Sequence, residues 1–294
     1  DYAGTLEIIL ALGPSKDKTD EIAQHLASSD PRITLVDNPS GKTAAGLNAA
    51  INKSKNPVIV RVDAHAELQR NYISLAIDVM KSSGAVNVGG IMGAEGNTFF
   101  EKTVAAAMRS SLGVGASRFH TGGEAGYVDT VYLGTFLRSA VIAIGGFDES
   151  FIRAQDWELN YRLRQAGGKI FFDPRLHVTY RPRSSVKALA KQYFEYGRWR
   201  RVVSRRHQGT INYRYLAPPF ALIGTALSIV FALMINQIFI IPAAIYGIFL
   251  ILASLITGKG IIEKLLLPIV LFTMQMSWGL GFLTSPKTLA PSKG

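Results

Sequence analysis

No cysteine occurs in the 294 residues. Disulfides, iron–sulfur clusters and thiolate zinc sites are therefore excluded. Acidic residues are scarce: 21 Asp and Glu stand against 32 Lys and Arg, a formal charge of +11. That balance favours anionic partners such as nucleic acid, anionic lipid or a phosphorylated substrate. Beyond Tyr215 charge of either sign nearly vanishes, leaving Lys259, Glu263, Lys264, Lys287 and Lys293. Two phosphate-binding signatures are also missing. Gly41-Lys42-Thr43 lacks the glycine that a Walker loop places five positions earlier, where Val36 stands. Gly113-x-Gly115-x-x-Arg118 lacks the third glycine of a dinucleotide fingerprint. There is no initial methionine and no signal peptide, and an apolar run starts at Leu6, so the expectation is a chain that begins inside a domain.

What is present alternates between strand and helix patterns. Residues 6–12, 33–36 and 57–62 read as strands, and residues 17–29 and 43–53 as helices. This order predicts an α/β fold with a parallel sheet covered by helices. The third strand runs into Val60-Arg61-Val62-Asp63-Ala64-His65. It ends in a carboxylate and an imidazole on one side of an extended chain. Ligands of open α/β sheets bind at the carboxyl ends of strands. Asp63 and His65 together suit a divalent cation, which in turn can hold a diphosphate. The alternative is that Asp63 caps the next helix and His65 is a solvated loop residue. Gly13 to Thr19 follows the first strand and opens a helix, so Ser15 and Asp17 are either ligand contacts or N-caps. Asp156 falls in the first turn of a helix that Gly167-Gly168 ends, and it is either a general base or an N-cap.

Three apolar stretches, 216–235, 238–256 and 262–283, have about the 20 residues needed to cross a bilayer. They are preceded by a basic segment with Arg183, Lys187, Lys191, Arg198, Arg200 and further arginines against the single acid Glu195. Val186, Leu189, Tyr193, Tyr196 and Val203 recur there at roughly helical spacing, which predicts a basic amphipathic helix on an anionic cytoplasmic leaflet. Nucleic acid is not expected as a partner, because the charge abuts a bilayer and no nucleic-acid motif is present. The domain expectation is a catalytic domain over 1–182, an interfacial segment over 183–214 and a membrane region over 215–294. The positive-inside rule places the basic segment and 257–264 in the cytoplasm and Asn236-Gln237 outside. Three full spans would leave Lys287 and Lys293 outside, against that rule, and a re-entrant third segment is the alternative.

Taken in order, these pieces resemble glycosyltransferase family 2, in particular the membrane-bound succinoglycan-type glucosyltransferases. The resemblance extends from Leu6 to about His207. It is carried by Val60 to His65, Gly126-Tyr127-Val128-Asp129-Thr130-Val131 with Leu133-Gly134, and Gly145-Gly146-Phe147-Asp148-Glu149. Gln155-Asp156-Trp157-Glu158-Leu159-Asn160-Tyr161-Arg162-Leu163-Arg164 and Gln192-Tyr193-Phe194-x-Tyr196-Gly197 complete it. The resemblance implies a GT-A fold followed by transmembrane helices, with the family's first strand missing. It implies an inverting transfer of a hexose from a nucleotide-diphosphate sugar, UDP favoured, to a lipid-linked saccharide, with Mn²⁺ or Mg²⁺. Asp156 would be the base and Asp63 the ligand of metal and donor, with His65 in place of a second aspartate. Ser15, Asp17 and Lys42 are further donor-side candidates. Asp129, Gly134, Gln155 and Trp157 are acceptor-side candidates. Leu12-Gly13 stands where the family usually has two aspartates, and the processive synthases' Gln-x-x-Arg-Trp is not reproduced, which argues against a cellulose-like polymerase. The implied setting is the bacterial inner (plasma) membrane with the catalytic domain in the cytoplasm. The other readings are a polyprenyl-phosphate sugar synthase and a degenerate domain serving as a membrane scaffold.

Overall fold

The computed structural model describes residues 2–64 and 66–289. Its first elements are β1 (Ile8–Leu12), α1 (Thr19–Ser29), β2 (Ile33–Asp37), α2 (Thr43–Lys53), β3 (Val58–Val60) and β4 (Ala66–Leu68). Then come α3 (Tyr72–Ser83), β5 (Asn87–Ala94), α4 (Phe99–Met108), α5 (Ser111–Val114) and α6 (Arg118–Thr121). The chain continues with β6 (Gly126–Tyr127), β7 (Tyr132–Leu137), α7 (Arg138–Ala143), α8 (Gln155–Gln165) and β8 (Ile170–Tyr180). Four long helices close it: α9 (Val186–Arg206), α10 (Tyr213–Met234), α11 (Ile241–Thr257) and α12 (Ile261–Thr284).

The early strands do not form one parallel sheet. β1 and β2 pair in parallel, as expected, and form a two-stranded sheet. β3 belongs instead to a six-stranded sheet of order β3-β7-β5-β8-β4, with β6 on β8. It pairs antiparallel with β7, Val58 opposite Leu137 and Val60 opposite Thr135. The apolar, β-branched run specified burial but carried no information on strand direction. A core of Tyr72, Ala76, Val79, Val88, Leu133 and Leu176 lies between α3 and this sheet.

By contacts the chain divides into two compact units, Asp1–Ile91 with Gly123–Val178, and Met92–Gly122 with Thr179–Gly294. The second unit contains three helices long and apolar enough to cross a membrane: Tyr213–Met234, Gln237–Thr257 and Ile261–Thr284. The basic segment forms α9, as its spacing predicts, with Val186 and Tyr196 of its apolar positions exposed. Leu189, Tyr193, Gly197 and Val203 are buried, and α9 lies against α12. The two backbones meet closely at paired glycines. A side chain on Gly197 would run into the backbone of Trp278 and Phe282, and one on Gly281 into the backbone of Phe194.

Candidate active site

Asp63 lies just beyond β3 and Asp156 in the first turn of α8, and Arg61 joins them. The Arg61 side chain is 6% exposed. Its Nε donates to Asp63 Oδ1 at 2.9 Å and Nη2 to Asp63 Oδ2 at 3.3 Å. Its Nη1 donates to Asp156 Oδ1. A buried charge persists only when paired, and here one planar fork serves two carboxylates. The ring of Phe147 lies under the guanidinium, 5.8 Å from Cζ. Burial alone would draw Arg61 down, but Asp156 and Asp63 outweigh it and hold the guanidinium above its ordinary value. Asp156 is shifted upward: burial raises it, Arg61 opposes and Asp63 adds to the rise.

The start of α8 is set by an unusual backbone. Ala154, immediately before the helix, has φ +61°, a left-handed conformation that costs a non-glycine residue energy. The helix is then pinned from beneath. Buried Glu158 is held by Arg162 at 2.7 Å, and Arg162 also donates to the carbonyls of Ile144 and Gly146 at 2.8 Å. Asn160 accepts from Asn87 of β5 at 2.6 Å and donates to Thr130 Oγ1 at 2.9 Å. Asp156 thus projects from a helix whose inner face is tied to the sheet and to the 144–147 loop. Arg61, Glu158, Asn160 and Arg162 were not among the candidates. Their signal was one charge inside an apolar strand and, on α8, a Glu–Arg pair four residues apart with an asparagine between them.

The other candidates are distributed as follows. Asp17 accepts from Thr19 N at 3.0 Å and from the Thr19 hydroxyl, so its carboxylate serves the turn into α1, and the Thr19 bonds hold it below its usual range. Ser15 Oγ is shielded and has no partner among the described residues. Lys42 is exposed and stands at the start of α2 with an extended backbone. Gly134 is buried in β7, its carbonyl accepting from Arg61 N at 3.3 Å, so it meets the cluster through backbone alone. Gln155 donates to Ile152 O at 2.7 Å. Trp157 stacks on Tyr161 at 5.5 Å, Arg164 lies over Tyr161, and Arg164 reaches exposed Asp129 at 3.3 Å. The structure therefore gathers Asp63, Asp156 and Gly134 around Arg61. It sets Trp157 and Asp129 along a separate aromatic and charged ladder on α8. His65 lies outside the described residues.

Among the described residues no group of three His, Asp or Glu side chains could hold a metal by itself. Asp63 supplies one carboxylate. Mg²⁺ and Mn²⁺ sites on nucleotide substrates commonly use one or two carboxylates, with phosphate oxygens and water completing the shell. The donor set at Asp63 fits that kind of shared site and does not fit an all-protein cage.

The sequence profile described as "Glycosyl transferase family 2" matches residues 2–145. The succinoglycan biosynthesis protein ExoA of Rhizobium meliloti (strain 1021) is 30% identical, over 94% of this chain and 84% of that relative. The chain belongs to glycosyltransferase family 2. A Methanococcus voltae dolichyl N-acetyl-α-D-glucosaminyl phosphate 3-β-D-2,3-diacetamido-2,3-dideoxy-β-D-glucuronosyltransferase is 26% identical, over 94% of this chain and 86% of that one. Among solved structures, mannosyltransferase PcManGT from Pyrobaculum calidifontis, in complex with GDP-Man and Mn²⁺, superposes with a TM-score of 0.57. That match has 16% identity and covers 95% of this chain and 77% of that one. The likeness is one of fold, and the fold is GT-A. This family 2 member is accordingly a glycosyltransferase with three candidate membrane-spanning helices.

Proposed function

We propose that this glycosyltransferase moves a hexose, with inversion, from a nucleotide-diphosphate sugar to a lipid-linked saccharide during exopolysaccharide or envelope glycan synthesis. A UDP-sugar is the favoured donor. The setting is the cytoplasmic leaflet of the bacterial inner membrane. Residues 1–182 carry catalysis, 183–214 the interfacial segment and 215–294 the membrane region. The names of the Rhizobium and Methanococcus relatives support a saccharide acceptor, and the second supports a lipid-linked one.

The observation that carries the reading is the Arg61 clamp, which brings a strand-end carboxylate and a helix-start carboxylate into one cluster. Asp63 is the donor-side group and, with His65, would hold the divalent ion, Mn²⁺ preferred through the imidazole. When bound, that ion supplies charge to offset the departing diphosphate. Asp156 takes the proton from the acceptor hydroxyl. Its upward shift makes it a stronger base than an ordinary carboxylate. Arg61 keeps it ionisable and fixes its direction. Glu158, Arg162 and Asn160 hold α8 still beneath it. Ser15, Asp17 and Lys42 on the donor side, and Asp129, Gly134, Gln155 and Trp157 on the acceptor side, remain the further contacts proposed.

Asp156→Asn should leave donor binding unchanged in a titration with labelled donor and lower turnover by roughly 100- to 10,000-fold. Turnover within a few-fold of wild type would reject Asp156 as the base. Undiminished turnover in excess EDTA would remove the metal from the scheme.

A further inference from the structure

Helix α12, with 24 residues, has the length and composition of a membrane span. Both of its ends nonetheless lie against segments that precede the first span. At its amino end, Glu263 lines a polar cavity of about 350 Å³ with Glu95, Lys102, Arg109 and Arg181. At its carboxyl end, Ser285 Oγ donates to Arg198 O at 3.0 Å. Arg205 donates to the carbonyls of Ser285 at 2.8 Å and Pro286 at 3.0 Å. Lys102, Arg109, Arg181, Arg198 and Arg205 all come before Tyr213, where α10 begins. A charged segment of this kind stays on one side of the hydrocarbon, which is about 30 Å thick. A helix that crossed would deliver its two ends to opposite sides.

The surface of α12 agrees. Leu267, Val270, Leu271, Met274 and Phe282 are buried, where α12 packs on α9, α10, α4 and α11. Ile261, Leu265, Ile269, Phe272, Leu280 and Leu283 are exposed at helical spacing and form one apolar stripe. In α10 and α11, by contrast, the apolar window is only 11% and 17% buried, against 44% for α12. With one face on protein and one apolar stripe outward, the helix can meet lipid along one side only.

We infer that only α10 and α11 cross the membrane and that α12 lies along the leaflet on the side of α9, presenting its exposed stripe to lipid. Lys287 then lies on the same side as Arg205 and no longer opposes the positive-inside rule.

The chain's lack of cysteine allows single ones to be introduced by Gln237→Cys, Lys259→Cys and Lys287→Cys in the full-length protein. Each is probed with an impermeant thiol reagent in intact cells and in inverted vesicles. The expected result is that Gln237→Cys labels from one side, and Lys259→Cys and Lys287→Cys both label from the other. Labelling of Lys287→Cys from the same side as Gln237→Cys would overturn the inference. If Gln237→Cys is protected in cells while both lysine sites label, the cytoplasmic orientation proposed above is wrong, yet α12 still does not cross. A second readout needs no thiol. A green fluorescent protein fused at the carboxyl end should fluoresce, and activity of alkaline phosphatase fused there, with Gln237→Cys labelled from outside, would overturn the inference.

Discussion

At the scale of single residues, Arg61 decides how the two carboxylates coexist. Among the described residues it is the basic group that both of them touch, and it is nearly sealed from water. Arg61→Met would leave Asp63 and Asp156 facing each other without a counter-charge. Breaking a buried pair of this kind costs about 3–5 kcal/mol, less where the carboxylates keep some exposure, as both do here. Arg61 opposes the upward shift of Asp156, so its removal pushes that group further up. A base protonated to a higher pH loses activity from the acid side, and the acid limb of kcat/KM should move to higher pH in Arg61→Met. Arg61→Lys restores the charge but not a fork that reaches two carboxylates. It should recover part of the stability and little of the rate. An acid limb identical to wild type in Arg61→Met would mean that Arg61 does not tune the base. Little of this was legible beforehand. Asp63 and Asp156 were readable from their places at a strand end and a helix start. Their contact spans 93 residues of sequence through a third residue, and such a link is not written in any local pattern.

At the scale of elements, local periodicity was informative and partnership was not. α2 occupies residues 43–53 as predicted, and α9 follows its apolar spacing. The direction of β3 and the surface that buries α9 were not readable, because each depends on what arrives from distant sequence. α4 went unpredicted although its start is signalled. Thr98 and Glu101 form a capping box, with Glu101 N donating to Thr98 Oγ1 at 3.2 Å. The α9–α12 contact makes a prediction of its own. Alanine in an open helix stabilises relative to glycine by roughly 1 kcal/mol. Gly224→Ala and Gly247→Ala, where an added Cβ meets nothing, should leave the thermal midpoint in detergent unchanged or raised. Gly197→Ala collides with the backbone of α12 and should lower it, since overpacking costs roughly 1–3 kcal/mol of stability. Equal midpoints for the three variants would show that the crossing is looser than these distances indicate.

For the molecule as a whole, charge and apolar surface are segregated along the chain. The basic residues of 181–214 lie next to helices that carry almost none. If that charge meets an anionic leaflet, each lysine or arginine near the surface adds about 1 kcal/mol of attraction, screened within a Debye length of about 10 Å at 0.1 M salt and about 3 Å at 1 M. Turnover in vesicles of anionic phospholipid should therefore exceed that in zwitterionic vesicles, and the advantage should shrink as salt is raised. Rates indifferent to lipid charge at low salt would leave the basic face with no lipid role.

The interleaving of the two compact units sets an order on biosynthesis. Residues 92–122 leave the ribosome between the two halves of the first unit, but they belong to the second. Helix α4, buried from Thr103 to Met108, packs on α12, which is completed about 175 residues later. At 5–20 residues per second that is a wait of about 10 to 35 seconds. During it, the stretch from Thr103 to Met108 lacks its final neighbour. Completion of the second unit therefore waits on the last helices, and a chain stalled after α8 would present α4 to chaperones and proteases as an unfinished surface.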